Sequence, residues 1–149
     1  MEAVILIGIQ GSGKSTFYKE RFFDTHVRIN LDMLKTLRRE SLLVEACLAA
    51  KQPFVVDKMN LTREKRKAYI AKAKAAGFRV VGYVLDSDPD ACRKRNEQRP
   101  ASQVIPLPGV LAAHRNLELP TRAEGFDELH RVSIGPDGAF LVEKWVEEA

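Results

Sequence analysis

The sequence predicts a three-layer α/β fold, a mainly parallel sheet with helices packed on both faces. Three features predict it. Short apolar runs alternate with amphipathic stretches, the first run passes directly into a glycine-rich loop, and the last two runs flank a tight turn. With 149 residues, 45% hydrophobic and 30% charged, the chain suits one ordinary globular domain with a substantial core.

The elements follow in order. AVILIG (residues 3–8) is expected as the first strand, and a helix near 14–23 follows the glycine loop. A second strand at HVRIN (26–30) leads to a helical pattern over 32–50, and a third at PFVVD (53–57) leads to one over 62–76. Gly77 after KAKAA ends that helix, because glycine takes φ > 0 at little cost. RVVGYVL (79–85) reads as the fourth strand. In SDPDA, Asp88 can cap the next helix (89–98), with Pro89 in the first turn where no amide donor is missed. Pro100 disfavours helix at Arg99, and PASQVIPLPG (100–109) reads as a loop. A helix-like VLAAHRNLEL (110–119) precedes two strands, in LHRVSI (129–134) and AFLVEKWV (139–146), joined by a GPDG turn.

The formal charge of +4 is compatible with a polyanionic partner but does not require one. Cys47 and Cys92 are too few and too far apart for a zinc site or a disulfide framework, so reduced, buried thiols and no disulfide-linked partner are expected. No run approaches the roughly 18–20 apolar residues of a membrane helix. MEAVILIG has no basic leader, and a cytoplasmic location is expected.

GIQGSGKST carries the first chemistry. Gly8, Gly13, Lys14 and Ser15 fit the pattern G-x-x-x-x-G-K-[ST], and Gly11 adds a third small residue. Such a loop turns its backbone N–H groups onto an anion, and the helix after it directs its positive end at the same phosphates. Gly8, Gly11, Ser12, Gly13, Lys14, Ser15 and Thr16 are therefore the candidate phosphate-binding residues. Lys14 is expected on the β- and γ-phosphates of a nucleoside triphosphate, and the Ser15 hydroxyl on Mg²⁺.

A phosphotransferase also needs a carboxylate to accept the proton of the attacking hydroxyl. Asp32 in INLDMLK leaves the second strand on the side where open α/β sheets bind ligands, although Asp32 or Asn30 could equally cap a helix there. Asp57 and Asn60 in VVDKMN end the third strand, where a carboxylate holds the Mg²⁺ shell or orients a basic group. In CRKRNEQRP, Arg95 and Arg99 lie four residues apart on one helix face, beside the proline-rich loop, and suit a lid that closes over phosphates. TREKRKAYIAKAKAAGFR (62–79) reads as a largely solvated basic helix with Tyr69, Ile70 and Ala73 on its apolar face.

Taken in order, GxxGSGKST, N-x-D, D-x-x-N and the R-N-x-x-R lid resemble the polynucleotide 5′-hydroxyl kinases of phage, animals and single-domain bacterial relatives. LPTRAEGFDEL (119–129) also resembles the P-T-x-A-E-G-F segment of the animal kinases. The resemblance implies a P-loop kinase-like three-layer sandwich over residues 1–149, with a lid near 91–118. It implies ATP as donor with Mg²⁺ at Ser15 and Asp57, and the 5′-OH of DNA or RNA as acceptor. It also implies catalytic roles for Asp32, Lys14 and Arg99, a donor contact for Arg95, and acceptor contacts for Lys35 and Asn60. Three positions depart from the family. Lys35 replaces an arginine that binds the acceptor phosphate, Leu31 replaces the arginine of N-R-D, and D-x-T-N reads Asp57-Lys58-Met59-Asn60. Two other functions stay open: a kinase for small metabolites or nucleotide sugars of the zeta-toxin kind, and a nucleotide-binding module that hydrolyses ATP slowly.

Overall fold

Strand residues alternate between two apolar faces, and that alternation builds the layers. In β1 (Glu2–Ile7) Ala3, Ile5 and Ile7 join one core cluster while Val4 and Leu6 join the other, and all five are buried. β1 can be apolar on both sides because it lies inside the sheet. The computed structural model describes residues 1–100 and 104–147, and orders the strands β2-β3-β1-β4-β5-β6. Here β2 is Val27–Ile29, β3 Phe54–Val56, β4 Arg79–Leu85, β5 Glu128–Ile134 and β6 Phe140–Lys144. The first five strands run parallel, and β6 returns antiparallel to β5. Gly138, at φ 81°, completes the GPDG turn between them.

One face is covered by α1 (Lys14–Arg21), through Phe17 and Tyr18, with Phe22 just beyond its end. The other is covered by α3 (Leu37–Ala50) and α4 (Arg63–Ala75), which contribute Val44, Cys47, Leu48, Ile70 and Ala73. Burying each large aliphatic side chain of these layers stabilises the fold by about 1.5–3 kcal/mol. The result is the expected three-layer α/β sandwich.

Two boundaries differ from the sequence expectation. The pattern over 32–50 is not one helix but α2 (Leu31–Leu34) followed by α3. Lys35 takes φ 74° between them, and the Thr36 hydroxyl accepts from Arg39 N (3.1 Å), so a second N-cap restarts the chain. Further on, α5 (Pro89–Glu97) forms with Asp88 as its cap, but α6 (Leu107–Asn116) begins inside the proline-rich segment read as loop. Pro108 sits in its first turn, where a missing N–H costs nothing. Residues 101–103 of that segment lie outside the described residues.

The stretch expected as a lid carries its own small core. Cys92, Val110 and Ala113 pack with Ile9 and Leu61, and Ile105 and Leu117 border them. Asn96, 1% exposed, clasps the connection from α5 to α6: its Nδ2 donates to Ile105 O (2.7 Å) and its Oδ1 accepts from Ile105 N (3.1 Å). No helix among the described residues is long and apolar enough to cross a membrane. Cys47 and Cys92 are both buried and free.

Candidate active site

β1 delivers the glycine loop to the C-terminal end of the sheet's centre, and α1 begins at Lys14 with Gly13 as its cap at φ 99°. Gly8 N donates to Met59 O (3.1 Å) and Ser12 N to Ile9 O (3.2 Å), which fixes the loop against β3's exit. Gly11 has two reasons to be glycine. It holds φ 76°, and a Cβ there would lie 2.1 Å from the carbonyl oxygen of Cys92. The backbone of α5 therefore rests directly on the loop. Arg95 fastens the same contact, its Nε donating to Gly11 O.

Lys14 folds over its own loop, donating from Nζ to Gly8 O (2.8 Å) and Ile9 O (2.9 Å). Burial pulls its ammonium down from 10.5 to about 8; Asp57 opposes that fall, and the nearby charge of Arg99 adds to it. An enclosed ammonium with so few countercharges is a ready partner for a polyphosphate. Thr16, one residue beyond Ser15, is exposed on α1.

Beneath the loop, the Ser15 hydroxyl donates to Asp57 Oδ2 (3.2 Å), and Asp57 is only 2% exposed. A third residue completes this cluster: Arg28 on β2 donates from Nε to Asp57 Oδ2 (2.8 Å) and from Nη2 to Ser15 Oγ (2.9 Å). Of the two roles open to Asp57 from sequence, the second is seen in its contacts: it orients a basic group. Sequence reasoning missed Arg28, although a charge inside the short apolar strand HVRIN was a usable signal.

The helix-capping alternative at 30–32 resolves in favour of Asn30. Its Oδ1 accepts from Met33 N (3.0 Å) while its Nδ2 donates to Asp57 O (2.9 Å). The start of α2 is thus tied to the strand end that holds Ser15. Asp32 is left exposed on α2, and so is Lys35 at its end.

Asn60 departs from its expected place. It is 4% exposed at φ 49°, and its Nδ2 donates to the carbonyls of Leu6 (2.7 Å), Val56 (3.3 Å) and Lys58 (3.2 Å). A buried amide so engaged is a strut between β1 and β3's exit, not an open acceptor contact. Arg99 is half-buried just past α5, near enough to Lys14 for its charge to be felt.

Two more clusters brace the site. Arg66, fully buried on α4, donates to Asn60 O (2.8 Å), Glu118 O (3.0 Å) and the Glu124 carboxylate (2.8 and 3.2 Å). Glu124 belongs to the PTRAEGF segment, where it also accepts from Thr121 N (2.8 Å) in a capping box. Lys58, at the unconstrained second position of D-x-T-N, bonds Glu40 Oε2 (3.1 Å) and Tyr69 OH (2.9 Å). Burial alone would lower its pKa; the hydrogen bonds to Tyr69 and Glu40 overcome this and raise it. Among the described residues no three His, Cys, Asp or Glu side chains form a metal cage. A hydroxyl and one carboxylate do suit Mg²⁺, which takes few protein oxygens beside phosphate and water.

A glycine loop joining a central parallel strand to a helix, with Lys14, Ser15 and Asp57 converging on it, defines a P-loop nucleotide-binding fold of the kinase-like kind. A family model described as an AAA domain matches residues 4–120, and the chain belongs to that family. The resemblance read from the motifs extends to whole-chain similarity. The chain is 30% identical over 152 residues to a putative bifunctional polynucleotide phosphatase/kinase of Acanthamoeba polyphaga mimivirus, covering 97% of this chain and 36% of that protein. It is 27% identical over 135 residues to a bifunctional polynucleotide phosphatase/kinase of Schizosaccharomyces pombe, covering 88% and 33%. It thus spans about a third of the length of these curated relatives. The solved AvrRxo1-ORF1:-ORF2 complex with ATP shares the fold, with TM-score 0.71 and 15% identity over 98% of this chain and 60% of that one.

Proposed function

We propose that the protein transfers the γ-phosphate of ATP to the 5′-hydroxyl of a DNA or RNA strand. One observation carries this most directly: the unbroken link from phosphate loop to candidate base. Ser15 bonds Asp57, Asp57 O accepts from Asn30, and Asn30 caps the helix that presents Asp32. Two relatives named polynucleotide phosphatase/kinase support the same acceptor class.

In the reaction, Lys14 and the loop N–H groups hold the β- and γ-phosphates, and Arg99 adds charge stabilisation from α5's end. Asp32 accepts the proton of the 5′-hydroxyl as its oxygen bonds the γ-phosphorus. The bond from that phosphorus to the β–γ bridging oxygen breaks, and ADP leaves. Ser15 and Asp57 would hold Mg²⁺, which would neutralise charge on the phosphate oxygens. Lys35, exposed beside Asp32, is proposed to meet a phosphate of the acceptor strand as a point charge.

A kinase for small hydroxyl compounds is the second reading, favoured by Leu31 and Lys35 standing where the resembling family has arginines. Incubation with γ-labelled ATP and a panel of 5′-OH DNA, 5′-OH RNA, nucleosides and sugars separates the two. Label on the oligonucleotides supports the proposal. Label on small compounds alone overturns it, and acceptor-independent phosphate release marks a plain ATPase.

A further inference from the structure

Arg28 holds the only guanidinium hydrogen-bonded to both Ser15 and Asp57 among the described residues. Its position raises a chemical conflict. Asp57 Oδ2 accepts from both Arg28 Nε and the Ser15 hydroxyl, and Ser15 Oγ in turn accepts from Arg28 Nη2. One carboxylate oxygen of Asp57 and one lone pair of Ser15 therefore already face a cation. Mg²⁺ needs its oxygens at roughly 2.0–2.1 Å in a near-ideal octahedron, and a guanidinium cannot yield by losing its proton. A Mg²⁺ ion about 2.1 Å from Ser15 Oγ would lie within about 5 Å of Arg28 Nη2, where the two cations repel each other.

The surroundings give Arg28 a way out. Its side chain is 25% exposed while Asp57 is 2% exposed, so the arginine and not the carboxylate can turn to solvent. The Tyr18 ring lies 5.8 Å from the guanidinium carbon and offers an aromatic surface along the way.

We propose that Arg28 is a built-in competitor for Mg²⁺, a positioning residue that holds Ser15 and Asp57 together and is displaced when metal and nucleotide bind. This rests on the proposed assignment of Ser15 and Asp57 to Mg²⁺. Without the competitor, the same oxygens are free at once, so metal should help nucleotide binding more. The apparent affinity of a site is reduced by the fraction of molecules in which it is open. A charge-assisted pair of this kind sets that fraction near one in ten, so the expected effect is on the order of 10-fold.

The test uses ADP, which binds without turnover, and isothermal titration of the whole chain with either excess Mg²⁺ or EDTA. The quantity read is the factor by which Mg²⁺ tightens ADP binding. Arg28→Ala should raise that factor on the order of 10-fold over wild type, Arg28→Gln should do the same, and Arg28→Lys should fall between. Should the alanine variant not fold, the glutamine variant carries the test, since it keeps the stem and a hydrogen-bonding head. If Arg28 only balances the buried Asp57 charge, both neutral variants will melt lower while the Mg²⁺ factor stays within about twofold of wild type, and the proposal is overturned. Wild-type protein that binds ADP equally well with and without Mg²⁺ overturns the metal assignment and this inference together. A normal metal effect in wild type that is unchanged in the variants overturns this inference alone.

Discussion

The two halves of the site are built differently. The donor half is braced on every side: Gly11 lies under α5, Arg95 grips its carbonyl, Lys14 bonds back to the loop, and Arg28, Ser15 and Asp57 interlock. The proposed acceptor half is a single turn of helix, α2, that ends at Lys35 in a strained φ of 74° with Asp32 and Lys35 exposed. A braced backbone keeps the loop N–H groups aimed at the phosphates, so that only side chains such as Arg28 need turn when metal and nucleotide bind. An open acceptor site lets a long strand approach, and leaves its closing to the substrate. Substitutions in the two halves should therefore fail in different ways.

The largest effect is expected at Asp32. Asp32→Asn keeps size and hydrogen bonding but removes the proton acceptor, and should lower transfer by roughly 10²–10⁴-fold while ADP affinity holds. Transfer at the wild-type rate would reduce Asp32 to a surface residue and erase the distinction between the halves. Next comes Arg99, assigned by the proposal to the donor half from its position past α5. Arg99→Ala should reduce turnover on the order of 10²-fold, with Arg99→Lys recovering part of it, and acceptor affinity measured without ATP should hardly change. Weaker oligonucleotide binding with turnover spared would move Arg99 to the acceptor half.

Lys14 gives the donor half a pH signature. Its ammonium in the free protein sits at about 8, below its ordinary 10.5, chiefly through burial. Bound phosphates favour the charged form, so nucleotide binding is strongest below about pH 8 and weakens as pH rises through it. ADP affinity should fall about 20-fold between pH 7.5 and 9.5, with proton uptake on binding at the upper end. Titration calorimetry at several pH values reads both, and a flat profile would show that the ammonium is not the group engaged. The smallest functional effect is expected at Asn60. Asn60→Ala leaves buried carbonyls unpaired and should cost about 1–3 kcal/mol in urea unfolding, with acceptor affinity unchanged. A stable variant with weakened acceptor binding would restore Asn60 to the acceptor side.

The same contrast explains what could be read from the sequence. The phosphate loop was legible because its residues are neighbours and its strand–loop–helix setting is local. Asp88, Gly77 and the GPDG turn were legible for the same reason, since caps and turns are made within a few residues. Asn30 was legible only as one of two candidate caps. The pairings of the braces were not legible, even where a lone charge such as Arg28 in HVRIN stood out. Arg28 and Asp57 are 29 residues apart, Arg66 and Glu124 are 58 apart, and Glu40 and Lys58 are 18 apart. Nothing in a helix pattern says that Arg66, amid exposed lysines on a basic helix, is fully buried. The PTRAEGF segment is legible as a family mark, but its work in anchoring Arg66 emerges only from the fold. The break at Lys35 was hidden because the apolar pattern on both sides suits a helix, and only the Thr36 cap divides them.

The open half is proposed to receive a strand bearing a free 5′-hydroxyl. The most direct measurement is ADP release with Mg²⁺-ATP and one oligonucleotide prepared in two forms, with a 5′-hydroxyl and with a 5′-phosphate. The 5′-hydroxyl form should stimulate ADP release and become phosphorylated, while the 5′-phosphate form, identical in length, sequence and chemistry elsewhere, should not stimulate it. Equal ADP release with both forms, or release that responds only to nucleosides or sugars, would contradict a polynucleotide 5′-hydroxyl as the acceptor.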